Sequence, residues 1–167
     1  MANLGDGFDC LFGPAYKGIP LATTAASALA QKHGRDISFC FNRKEAKDHG
    51  EGGELVGHKP AKGERVAIIE DVTTAGTSVR DTVAHFRGFP EAKLVGLVVS
   101  VDRQERGSGS KSALAELRAE FGLKTFAIAT LAEIVEHLGQ NQVDGKLLID
   151  SEMRKRIDAY RAERGIS

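Results

Sequence analysis

Val66-Ala67-Ile68-Ile69-Glu70-Asp71-Val72-Thr73-Thr74-Ala75-Gly76-Thr77-Ser78 is the stretch around which the rest of the chain can be ordered. Its four leading apolar residues, Val and Ile prominent among them, predict a buried strand over 66–69. Two acids and a run of hydroxyl and small residues follow. Val79, Val83 and Phe86, spaced four and three, then place an apolar stripe on a helix that begins there. Outward from this strand-loop-helix unit, apolar runs at residues 8–12, 37–41, 94–101 and 125–129 predict four more strands. Leu114, Leu117 and Phe121 line one helix. Leu131, Ile134, Val135 and Leu138 line another, which Thr130 and Glu133 can open as a capping box. Gly122 and Gly139 stand where these helices should stop. Parallel strands need crossovers of helical length, so the alternation predicts an α/β fold. The expectation is a doubly wound, mainly parallel sheet of about five strands with helices on both faces, in a single domain over 1–167. Residues 151–164, with Met153, Ile157 and Tyr160 on one face, predict a final packing helix.

Composition narrows the class of function. Lys plus Arg and Asp plus Glu both count 23, which gives no basic field for nucleic acid and leaves any charge-based role to local clusters. No run of about 18 apolar residues occurs, and the first ten residues have neither a basic nor an apolar leader segment, which argues against membrane insertion and secretion. Cys10 and Cys40 lack a CxxC spacing and predict buried thiols in a reducing, cytoplasmic setting.

In a doubly wound sheet, ligands bind beyond the carboxyl ends of the strands. The loops after Phe12, Phe41, Ile69 and Val101 are therefore the places to search. After Ile69, the amides of a helix N-terminus and the hydroxyls of Thr73, Thr74, Thr77 and Ser78 make a cradle for a phosphate monoester. Glu70 and Asp71 repel phosphate but accept hydroxyl protons, which suits a ribose 2′,3′ diol. Together they point to a ribose 5-phosphate. The plainer alternative is a solvated strand end with Thr77 as a helix cap. Residues 42–64 are polar, hold five glycines and show no helical or strand pattern, as in a long functional loop.

The segment from Glu70 to Ser78 resembles the phosphoribosyl-diphosphate motif of type I phosphoribosyltransferases. Two further segments resemble one branch of that group, the orotate phosphoribosyltransferases. Phe12-Gly13-Pro14-Ala15-Tyr16-Lys17-Gly18-Ile19-Pro20 is similar to their diphosphate-binding loop. Phe41-Asn42-Arg43-Lys44-Glu45-Ala46-Lys47-Asp48-His49-Gly50-Glu51-Gly52-Gly53 is similar to their mobile catalytic loop, here about 42–64. Asp102-Arg103-Gln104-Glu105-Arg106-Gly107 completes the set, in order along nearly the whole chain.

The resemblance implies transfer of ribose 5-phosphate from phosphoribosyl diphosphate to orotate, with Mg2+ carried mainly on the diphosphate. It implies phosphoribosyl-diphosphate binding by Tyr16, Lys17, Arg43, Lys44, Lys47, His49, Glu70, Asp71, Val72, Thr73, Thr74, Ala75, Gly76, Thr77 and Ser78. Thr74 and Arg103 would contact orotate, the guanidinium pairing with its carboxylate. As a plain surface residue Arg103 would instead pair with Asp102 or Glu105. Lys47, His49 and Asp71 would be catalytic. The resemblance further implies a homodimer in which the 42–64 loop reaches the neighbouring subunit's site. Two departures stand out. The family's N-terminal hood, with a lysine and an aromatic pair, has no counterpart ahead of the first strand, and Glu70 replaces a frequent Asp. Two alternatives follow: a phosphoribosyl-diphosphate-binding regulatory module without turnover, or transfer to another base.

Overall fold

The computed structural model describes residues 4–5, 7–43, 55–73, 76–107 and 109–165. Its sheet has six strands: β1 (Cys10–Phe12), β2 (Ser38–Asn42), β3 (Leu55–Gly57), β4 (Arg65–Thr73), β5 (Lys93–Asp102) and β6 (Lys124–Thr130), in the order β3-β2-β1-β4-β5-β6. All neighbours pair in parallel except β3, which lies antiparallel on β2. Five helices complete the fold: α1 (Gly18–His33), α2 (Thr77–Phe86), α3 (Ala113–Phe121), α4 (Leu131–Gln140) and α5 (Ser151–Arg164).

The pleat divides the strand residues between two cores, because successive side chains leave opposite faces. Phe12, Val66, Ile68, Leu97 and Val99 pack under Val79 and Phe86 of α2 and Leu114 and Leu117 of α3. Leu11, Ala67, Ile69 and Val98 pack on the other face, under Ala22, Ala26 and Leu29 of α1. Cys10 and Cys40 are buried free thiols in the first core, with Sγ atoms 3.8 Å apart. The amino ends of β1 and β4 are clamped where Asp9 accepts from the Arg65 amide, Nε and Nη2 at 2.9, 2.9 and 2.6 Å. This fork holds the Asp9 carboxyl down to about 2.

Several expectations need correction. The 42–64 stretch contains a strand: Val56 pairs with Phe41 and Leu55 is buried. Three residues are too few to show a periodicity. β4 runs to Thr73, four residues past its expected end, because β5 pairs with it as far as Asp102. Glu70 and Asp71 are thus strand residues. The capping box of α4 is present, but the helix passes Gly139 and ends at Gln140 with Asn141 as its cap. α5 buries no residue, and Met153 is exposed, so it is not an apolar packing helix. Among the described residues, no helix is long and apolar enough to cross a membrane.

Candidate active site

The winding of the chain reverses between β1 and β4. β1 connects through α1 on one face toward β2, and β4 connects through α2 on the other face toward β5. Such a reversal opens a crevice at the carboxyl ends of the two strands. The crevice is deepened by unequal lengths: β1 ends at Phe12, level with Ile68, and β4 continues five residues further with β5 alone beside it.

The turn after β1 fills this space. Gly13 and Gly18 meet back to back: a Cβ on Gly13 would lie 2.1 Å from the Gly18 carbonyl oxygen, so only glycine lets the turn close. The Ala15 amide donates to Asn42 Oδ1 at 2.8 Å, and the Gly13 amide to the Cys40 carbonyl at 3.0 Å, tying the turn to β2. Lys17 then reaches across the crevice and donates to Asp71 Oδ2 at 2.7 Å. Tyr16 and Arg43 are exposed at the rim.

The two acids of β4 are set apart by the pleat and by their partners. Glu70 lies on the α2 side, buried, and accepts from the Ser78 hydroxyl. Burial lifts its carboxyl above the usual carboxylate range, and the Ser78 hydrogen bond offsets only part of this. Asp71 faces the turn. Burial pushes its carboxyl upward, but the Lys17 ammonium and the Val72 amide outweigh that and leave it below its ordinary value. Lys17 is raised in return by its bond to Asp71.

α2 is preceded by Gly76, in the left-handed region at φ 75°, and has no side-chain cap and no acid in its first turn. Thr77 does not cap the helix, and Glu70 is buried rather than solvated. The amides of the first turn and the exposed Thr77 therefore present positive character beside the crevice, while the Ser78 hydroxyl gives its proton to Glu70. Thr73 is buried and Val72 half-buried on the last residues of β4. A cleft of about 310 Å³ lies between the turn and α2, lined by Pro14, Ala15, Asn42, Thr77, Ser78 and Asp81 among others. Lys44, Lys47, His49, Thr74 and Ala75 lie outside the described residues.

Arg103 follows β5 on the same edge of the sheet. Its Nη2 stands 2.5 Å from Glu105 Oε1 and donates to the Tyr160 hydroxyl at 2.9 Å, so the pairing with Glu105 expected of a surface arginine is present. Below it the loop is fixed from within. The Gln104 amide donates to Asp102 Oδ1 at 2.8 Å, and Gln104 Oε1 accepts from the Ala132 amide at 3.0 Å.

A family model for the phosphoribosyl transferase domain matches residues 2–115. The orotate phosphoribosyltransferase of Clostridium acetobutylicum is 51% identical over 164 residues, covering 98% of this chain and 73% of that protein. The chain belongs to the orotate phosphoribosyltransferase family. The enzyme of that name from Thioalkalivibrio sulfidiphilus is 52% identical over 99% of this chain and 74% of its own length. Among solved structures, the orotate phosphoribosyltransferase of Francisella tularensis superposes with a TM-score of 0.78 at 32% identity, covering 98% of this chain and 74% of that one.

Sequence reasoning missed Asn42 as the acceptor that pins the 13–18 turn, and it missed Tyr160. Asn42 carries a weak signal, an amide just past an apolar strand run on the ligand edge. Tyr160 carries none, since its contact to Arg103 spans 57 residues.

Proposed function

We propose that the chain transfers ribose 5-phosphate from phosphoribosyl diphosphate to the ring nitrogen of orotate, releasing diphosphate and orotidine 5′-phosphate. The observation that carries this is the Lys17–Asp71 bridge across the β1/β4 crevice, beside an uncapped α2 N-terminus. It sets a cation, a carboxylate and an anion cradle around one opening. In this reading the 5-phosphate sits at the first turn of α2, with Gly76, Thr77 and Ser78. Asp71 takes the ribose hydroxyls. Glu70, turned toward Ser78, braces the cradle from below.

The diphosphate leaves toward the 13–18 turn, where Lys17 exchanges part of its bond to Asp71 for the incoming anion. As the bond to the anomeric carbon stretches, positive charge grows on the sugar and negative charge on the diphosphate. Cations aimed at the leaving group lower that barrier. Besides Lys17 these are Arg43 at the end of β2 and, from the loop outside the described residues, Lys44, Lys47 and His49. The loop is proposed to serve the neighbouring subunit of a homodimer. Arg103 pairs with the carboxylate of orotate, and Thr74 contacts its ring.

No three His, Cys, Asp or Glu side chains converge on one point among the described residues. The oxygen donors that Glu70 and Asp71 offer suit a hard cation such as Mg2+ coordinated mostly by substrate oxygens. When bound, it supplies further charge neutralisation on the diphosphate. The proposed setting is the cytoplasm.

The test is loss of orotate absorbance with phosphoribosyl diphosphate and Mg2+, run beside adenine and hypoxanthine. Orotate-dependent diphosphate release is expected. Tight phosphoribosyl-diphosphate binding without turnover on any base would replace the enzyme with a sensor.

A further inference from the structure

α5 has no buried residue, yet its carboxyl-terminal half is joined to one place, the loop at residues 103–107. The Arg106 amide donates to the Arg164 carbonyl at 2.9 Å, Arg106 Nη2 donates to the Glu163 carbonyl, and Glu105 forms a β-bridge with Gly165. At the centre is the Tyr160 hydroxyl, which donates to Glu105 Oε1 at 2.6 Å and accepts from Arg103 Nη2 at 2.9 Å. One oxygen therefore joins both members of the Arg103–Glu105 ion pair. Both contacts of the guanidinium run through Nη2, and among the described residues Nε and Nη1 have no partner. Nη1 and Nε thus keep N–H donors that a carboxylate can accept from, on a guanidinium whose Nη2 is already anchored. A terminal helix that adds nothing to the core is thus attached to the arginine that, in the reading above, selects the base.

We infer that Tyr160 is a positioning residue for substrate selection: its hydroxyl holds Arg103 so that the remaining N–H donors of the guanidinium face the carboxylate of orotate. This rests on Arg103 reading that carboxylate. Without the hydroxyl, Arg103 swings with Glu105, and the substrate carboxylate must compete for a mobile partner.

The test compares two nucleotides that differ by that carboxylate, orotidine 5′-phosphate and uridine 5′-phosphate, titrated calorimetrically into the full chain. The unmodified chain is expected to prefer the carboxylated nucleotide, and Arg103→Ala to erase the preference. Tyr160→Phe should shrink it about threefold to tenfold, as for loss of one hydrogen bond to a charged group. Its affinity for uridine 5′-phosphate and its melting temperature should hold. Tyr160→Leu removes the hydroxyl independently and should shrink the preference equally. If Arg103→Ala erases the preference while Tyr160→Phe preserves it, the proposal fails and the Arg103 reading stands. If Tyr160→Phe weakens both nucleotides alike, the residue is only structural, and the proposal is overturned. If Arg103→Ala keeps the preference, the reading itself falls and takes the proposal with it.

Discussion

Gly76→Ala tests the phosphate cradle through its weakest steric point. Gly76 is left-handed at φ 75°, and a Cβ there would lie 3.2 Å from Leu117 Cδ2 and 3.3 Å from Cδ1 and Cγ. The backbone alone costs about 1–2 kcal/mol for a residue with a side chain. Leu117 is fully buried between α3 and the sheet, so it has little room to withdraw, and crowding it adds about 1–3 kcal/mol. The sum is roughly 2–5 kcal/mol, which in a chain of this size lowers the melting temperature by about 4–20 °C. Gly122→Ala is the matched control: it is also left-handed, at φ 69°, but its Cβ would enter open space, so only the backbone part applies. Scanning calorimetry on both variants isolates the packing part as their difference. Titration with ribose 5-phosphate then asks about function. Gly76→Ala should bind it at least tenfold more weakly, since displacing the first turn of α2 by a few tenths of an ångström lengthens every amide contact to the phosphate, about 1.4 kcal/mol in all. Gly122→Ala should bind it unchanged. Equal melting temperatures would refute the Leu117 argument, and undiminished affinity in Gly76→Ala would refute α2 as the phosphate site.

Asp9→Asn should lower stability at neutral pH by about 1 kcal/mol, because 38% of the Asp9 side chain is exposed and solvent screens the pair. The Asp9 carboxyl lies below its ordinary value in the folded chain, so its stabilisation is complete above about pH 4 and fades as pH falls toward about 2. Urea unfolding from pH 7 to pH 3 should show the two forms converging, and a constant gap would contradict the assignment. The clamp sits at the far ends of the strands, so nucleotide affinity should be unchanged. Asp71→Asn should weaken phosphoribosyl-diphosphate binding about tenfold by losing a charged hydroxyl acceptor, read by equilibrium titration; unaltered affinity would remove Asp71 from the ribose site. Lys47→Ala should lower kcat far more than it weakens phosphoribosyl-diphosphate binding if the lysine acts on the departing diphosphate, and equal losses in both would give it a ground-state role.

How far the sequence could be read depends on the range of the interactions concerned. The five parallel strands and the α2, α3 and α4 helices were legible because burial writes a local period into β4, β5 and the stripes at Val79, Leu114 and Leu131. β3 was not, because three residues held by partners on β2 have no period of their own. The residue types that line the crevice were legible, since the acids and hydroxyls after β4 stand within a few positions of one another. Their division of labour was not. Glu70 and Asp71 are neighbours in sequence with similar chemistry, and only the pleat separates them, sending one to Ser78 and the other to Lys17. The same limit explains α5. Its sequence has an apolar face that suggests packing, but Tyr160 serves through its hydroxyl, and the groups that hydroxyl meets come from a loop 55 and 57 residues earlier. Short-range pattern thus identifies which polar groups reach the crevice, whereas long-range polar contacts decide how firmly each one is held. If base selection is set by how firmly Arg103 is held, the helix with the least core contact in this fold carries part of the specificity, and the chemistry of orotate recognition extends to a residue that touches no substrate.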